Sequence, residues 1–141
     1  SDGSAVACGY HYWRPSRLPE LPEGLTYVQV AAGVFHTILI RSDGSAVACG
    51  CNGENQCRLP ELPEGLTYVQ VAAGANHTVL IRSDGSAVAF GYNDENQCRL
   101  PELPEGLTYV QVAAGVCQTV LIRSDGSAVA CGWDEDGQCR L

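Results

Sequence analysis

The sequence predicts an all-β chain of short antiparallel meanders repeated in tandem. Three observations point there: a 41-residue internal period, segments whose apolar residues alternate in twos or run unbroken, and turn residues between those segments. Sliding the chain against itself by 41 aligns residues 1–41 with 42–82 and 83–123, leaving 124–141 as a partial fourth copy. The first two units differ at ten positions and the second and third at six. No apolar 3.6-residue period runs through the unit, which excludes the solenoids built from helix pairs.

The second unit shows each element. Leu66 to Ala73 alternates Thr67, Val69, Val71 and Ala73 on one face with Tyr68, Gln70 and Ala72 on the other, a strand that Gly74 closes. His77-Thr78-Val79-Leu80-Ile81-Arg82 is almost continuously apolar and rich in β-branched residues, as suits a central strand covered on both faces. Ser83-Asp84-Gly85-Ser86 follows, its Asp-Gly pair expected to supply the positive φ angles of a tight hairpin, and Ala87 to Gly91 returns as a third strand. Between meanders, Arg58 to Gly65 carries Pro60 and Pro63, which forbid a regular ladder and make this stretch the connector. Antiparallel meanders of three to four strands strapped together in this way build β-propeller blades. The repeat count then gives one repeat domain, 1–141, in a partial ring of about three and a half blades.

Composition narrows the function. A chain of 141 residues that is 45% hydrophobic can bury a core, and 16 acids against 8 bases leave a net charge of −8. That sign repels phosphate backbones and anionic lipid, so neither nucleic acid nor membrane is expected as a partner. No apolar run approaches the roughly 20 residues that span a bilayer, and the N-terminus lacks the layout of a signal peptide. Methionine is absent, even from position 1, and Ser1-Asp2-Gly3 falls inside a repeat, so a piece of a longer chain is expected.

No catalytic, cofactor or metal site emerges. Cys49 and Cys57, like Cys131 and Cys139, stand eight residues apart, yet the equivalent pairs are Cys8 with Ser16 and Phe90 with Cys98. A required disulfide would not tolerate losing one partner, and zinc wants Cys-x-x-Cys spacing where the sequence offers Cys49-Gly50-Cys51 once. The cysteines read as reduced thiols in the core, which implies an intracellular location, cytoplasmic or nuclear. His36 and His77 share a repeat position that is Gln118 in the third copy, so a side chain bonded to nearby backbone fits better than a ligand or base. The Ser-Asp-Gly-Ser serines recur in every copy and read as turn formers, while Asp134-Glu135-Asp136 lacks the alternating ligands of a calcium loop.

Val-Ala-Ala-Gly-x-x-His-Thr-Val-Leu-Ile-Arg-Ser-Asp-Gly-Ser-Ala-Val-Ala-x-Gly-x-Asn, best seen at Val71 to Asn93 and Val30 to Asn52, resembles the repeat of the regulator of chromosome condensation family. Gly132 to Cys139 adds an ending similar to the family's Gly-Gln loop. The resemblance implies a propeller, seven-bladed in that family, with blades of the three-stranded type. Three units and a fraction cannot close such a ring, so self-association or further repeats are expected, with Ser4 to Gly9, an extra third strand, sealing the joint. It also implies two roles: a protein interaction module, or a scaffold or substrate-recognition region of a larger ubiquitin ligase or small-GTPase exchange factor. Plant ultraviolet receptors share the fold but cluster tryptophans after the Ala-Gly step, where this chain has Val34-Phe35, Ala75-Asn76 and Val116-Cys117, so a light sensor is not expected.

The copies differ almost wholly in two windows, and contact with a partner is expected there. One holds Val34, Phe35, Ala75, Asn76, Val116 and Cys117. The other holds Tyr10, His11, Tyr12, Trp13 and Arg14, then Cys51, Asn52 and Glu54, then Tyr92, Asn93, Asp94 and Glu95, then Trp133, Asp134, Glu135 and Asp136. Both lie at strand ends, where successive blades of a propeller gather their loops, and both tryptophans fall in the second window. Drift in exposed loops is the competing explanation. Sequence leaves open whether the two windows share a face, and the partner expected is a basic or mixed protein surface.

Overall fold

The structure, a computed structural model, describes residues 3–7 and 18–141. These form three antiparallel sheets of three strands each, with no helix among the described residues. The first blade holds β1 (Tyr27–Ala32), β2 (His36–Arg41) and β3 (Ala46–Gly50). The middle blade holds β4 (Tyr68–Ala73), β5 (His77–Arg82) and β6 (Ala87–Gly91), and the third blade β7 (Tyr109–Ala114), β8 (Gln118–Arg123) and β9 (Ala128–Gly132). In each sheet the sequence-central strand is also the spatial centre. Residues 124–141 therefore do not open a fourth blade; they supply β9, the strand that completes the third. A frame that starts at Ser1 cuts every sheet between its second and third strands.

Two local expectations are corrected. Strict alternation placed Tyr68 with Gln70, but the β4–β5 register slips between these residues, leaving Val69 in a bulge that turns Tyr68 and Val71 to one side and Gln70 and Ala72 to the other. The same irregularity recurs in β1 and β7. The hairpin turn needs only one left-handed residue: Gly85 has φ +81, while Asp84 keeps an ordinary angle and accepts the Ser86 amide at 2.9 Å on its carboxylate. The Gly85 amide donates to Arg82 O and the Arg82 amide to Ser86 O, a turn closed by a glycine bulge.

The core lies between blades. Ile38 and Ile40 of the first blade meet Leu80 and Tyr68 of the middle one, with Val71 and Val88 beside them. Ile81 then meets Tyr109 and Leu121 across the next seam. β5 thus spends Leu80 on one neighbour and Ile81 on the other, which is why its sequence is apolar without interruption. The connector is part of this packing, since Leu59 and Leu62 fill the first seam and Leu100 and Leu103 the second. Full burial of each large aliphatic side chain stabilises by about 1.5–3 kcal/mol. Residues 3–7 join no strand; the Tyr27 amide donates to Gly3 O at 3.1 Å, while Cys8 and Gly9 of the expected extra strand lie outside the described residues.

Polar side chains stitch the seams. Thr78 donates to Gln56 O at 2.8 Å, so its oxygen accepts from His36 Nε2, also at 2.8 Å. His77, Thr119 and Gln97 repeat the arrangement one blade on. Each histidine therefore bonds a threonine hydroxyl of the next blade rather than the adjacent backbone expected from sequence. Burial, aided by the charge of His77, lowers His36 to about 4, and burial lowers His77 as well, so both imidazoles are neutral.

Candidate protein-contact face

The first variable window is the turn between the first and second strands of each sheet, and the second begins where the third strand ends. Because the third strand runs antiparallel to the second, with His36 opposite Gly50, both windows emerge at the same end of the sheet. They touch through the backbone: Cys51 donates its amide to Phe35 O at 2.7 Å, Tyr92 to Asn76 O at 2.9 Å and Trp133 to Cys117 O at 2.9 Å. The windows that sequence kept apart thus form one face per blade.

Within the second window, part of the variation is spent on folding the loop. Asn52, Asn93 and Asp134 each accept the backbone amide of Cys57, Cys98 or Cys139 on the side-chain oxygen, at 2.8–2.9 Å. Gln56, Gln97 and Gln138 accept the amides of Glu54, Glu95 and Asp136. Asn55 and Asn96 hold positive φ near 60°, and Gly137 takes the same place. This scaffold turns Glu54, Asp94, Glu95, Glu135 and Asp136 outward into solvent. Asp134 pairs with Arg140 at 3.2 Å. The charge of Asp94, with smaller contributions from burial and Glu95, raises the Tyr92 phenol above its ordinary value, a sign of the negative field on this face.

The first window is uneven. Val34 and Val116 are 62% and 67% exposed, and Phe35 lies beside them at the surface. Ala75, the middle copy, is buried, and half-buried Asn76 accepts a bond from Gln56 Nε2 at 3.3 Å. Cys51 and Cys117 are half-buried. Trp133 is exposed beside Asp134. Ala32, Gly33, Val34, Ala73, Gly74, Ala75 and Val116 line an open hollow of about 330 Å³ that runs across all three blades at this end. Tyr10, His11, Tyr12, Trp13 and Arg14 lie outside the described residues.

Sequence reasoning missed Gln56 and Gln97, which are wholly buried and organise both the loop and the seam. Their recurrence at Gln138, just beyond the variable residues, was the available signal. The described cysteines are thiols, and burial pushes Cys57 and Cys131 up to about 11 and Cys98 to about 12, which keeps them protonated and poorly nucleophilic. Among the described residues no group of three His, Cys, Asp or Glu side chains gathers to hold a metal ion, and no helix is long and apolar enough to cross a membrane.

A family model described as the regulator of chromosome condensation (RCC1) repeat matches residues 27–56 and 68–97. No curated protein matches the chain in sequence. Among solved structures, Prp20p of Saccharomyces cerevisiae, described with its binding to Gsp1p and histones, is similar with a TM-score of 0.70 at 23% identity over 84% of this chain and 33% of that one. Human WBSCR16 is similar with a TM-score of 0.73 at 22% identity, covering 91% of this chain and 42% of that one. The ectodomain of the Physcomitrella patens receptor kinase CR4 gives a TM-score of 0.61 at 19% identity, covering 77% and 29%. At such identities the likeness is one of fold, and the chain spans less than half the length of each.

Proposed function

For a chain that carries regulator of chromosome condensation repeats and folds as propeller blades, we propose the role of a protein-binding module that engages its partner through the end of the blades where β1–β2, β4–β5 and β7–β8 turn. One observation carries the reading: two separate windows of variation converge on one face through the Cys51–Phe35, Tyr92–Asn76 and Trp133–Cys117 backbone bonds, while within the strands the copies differ only at Ile38/Val79/Val120, His36/His77/Gln118 and Cys49/Phe90/Cys131. Exposed Phe35 and Trp133 provide apolar anchors, and outward Glu54, Asp94, Glu95, Glu135 and Asp136 favour a basic surface.

The partner class is a folded protein with a basic patch, and the reading carries no catalytic step for this chain. Prp20p, described as binding Gsp1p and histones, suggests Gsp1p and histones as first probes. The chain's share of that protein, 33%, also suits the second reading, a recognition segment within a larger ligase or exchange factor. Binding of either probe to the immobilised chain, measured by interferometry, should weaken at least tenfold in Trp133→Ala and in the pair Glu54→Lys and Glu95→Lys, with melting unchanged. Binding that ignores all three substitutions would overturn the assignment of this face.

A further inference from the structure

The two ends of the blade row repeat the halves of a seam that the middle of the molecule shows complete. On the third blade, Val120 stands opposite Ala113 and Ala130, and Ile122 opposite Gln111 and Ala128, all turned away from the middle blade. Ala113, Val120 and Ile122 line a shallow apolar hollow of about 80 Å³. Their counterparts one and two periods earlier are Ile38, Ile40, Val79 and Ile81, which are 0–1% exposed because a blade covers them. Gln29 donates across the first seam to Val69 O at 2.6 Å and Gln70 across the second to Val110 O, but Gln111 faces no strand.

The hairpin turns tell the same story. An added Cβ at Gly3, Gly44 or Gly85 would strike the side chain of Thr26, Thr67 or Thr108 at 2.3–2.4 Å, and the three glycine carbonyls accept the amides of Tyr27, Tyr68 and Tyr109 at 2.8–3.1 Å. Gly126, the fourth member, meets nothing within 4 Å. At the opposite end the face is open only in part: Val30 is 64% exposed although its counterpart Val71 packs into the first seam, whereas Leu39, the counterpart of Leu80, is 1% exposed. The Thr26–Tyr27 corner there is held by Gly3, in a segment, residues 1–9, identical in sequence to 124–132.

We propose that a second copy of this chain docks head to tail, its first blade seating on the outward face of the third blade. In that joint Ile122 and Val120 meet the exposed Val30 of β1, Gln111 reaches the Val28 carbonyl, and the Gly126 turn takes the place of Gly3 against Thr26 and Tyr27. The exchange is like for like at the turn, since Gly126 brings the same flanking sequence that surrounds Gly3. The glutamine bond and the glycine turn of the joint each already exist at least twice within the chain, and the interface is heterologous, with different patches on the two copies. This surface is separate from the loop face, so either idea can fail alone.

Light scattering on the full chain should show an apparent mass that rises with concentration to at least twice 14.9 kDa. Val120→Asp blocks one patch and Val30→Asp the other, so each variant alone should run as a monomer. Mixed one to one, they should form a dimer and nothing larger, because each retains the patch its companion lacks. Gln111→Glu, at an exposed position, repeats the Val120 arm should that variant melt early. A wild-type chain that stays monomeric, as when further repeats or another protein cover these faces, overturns the proposal; so does a mixture of folded variants that stays monomeric.

Discussion

The middle blade and the two end blades are built from nearly the same residues, yet they differ in what those residues experience. β5 is buried through five of its six positions, whereas β8 buries two, Thr119 and Leu121. Val71 is half-buried while Val30 is exposed, and Gln56 is wholly buried while Gln138 is partly open. Burial here belongs largely to the neighbour rather than to the unit, Leu39 of the first blade, 1% exposed with no blade before it among the described residues, being the exception. Repeat architectures divide their stability into a local part, common to every unit, and an interface part that exists only where two units meet.

Placing one substitution in two blades separates these parts. Ile81→Ala should cost about 3 kcal/mol of stability, whereas Ile122→Ala on the outward face should cost about 1 kcal/mol or less, read from urea midpoints. Equal losses would break the comparison. Thr78→Val removes the acceptor of His36 and the donor to Gln56, and should cost about 2 kcal/mol. Thr37→Val, half-buried on the first blade's outer side, should change stability by less than about 0.5 kcal/mol.

Acid should attack the seams. The unfolded His36 imidazole protonates near its ordinary 6.5 and the folded one only near 4, so the folded state binds fewer protons in between. Its stabilisation is intact above pH 6.5 and is lost as pH falls towards 4, on the order of 3 kcal/mol. His36→Gln, which installs the residue found at position 118, should flatten that part of the pH profile of the melting temperature. A small and uniform effect is local: Asp43→Ala and Asp84→Ala each remove two bonds closed within one turn and should cost about 0.5–1 kcal/mol alike in denaturant titration.

What sequence made legible follows the same division. Strands, turns, connectors and the 41-residue period are local, and were readable from β-branched runs, Ser-Asp-Gly-Ser and paired prolines. The bulge at Val69 was not, because period two counts residues and cannot tell where the ladder lets one slip. That single slip reassigned Tyr68 to the opposite side. The meeting of the two variable windows depends on β3 running antiparallel beside β2, a pairing that joins residues 35 and 51 across the sheet. Likewise the bond from His36 to Thr78 spans 42 residues and belongs to the seam, which the unit alone does not display.

Each sheet borrows its third strand from the following unit, and this overlap bears on how such a chain can change length. Removing or duplicating a stretch of 41 residues that starts anywhere from residue 10 to residue 92 returns every strand to a sheet with the right partners. Recombination within the near-identical repeats therefore does not need to respect blade boundaries to yield a foldable product. Copy number is free to drift in the gene while phase is held fixed by the protein.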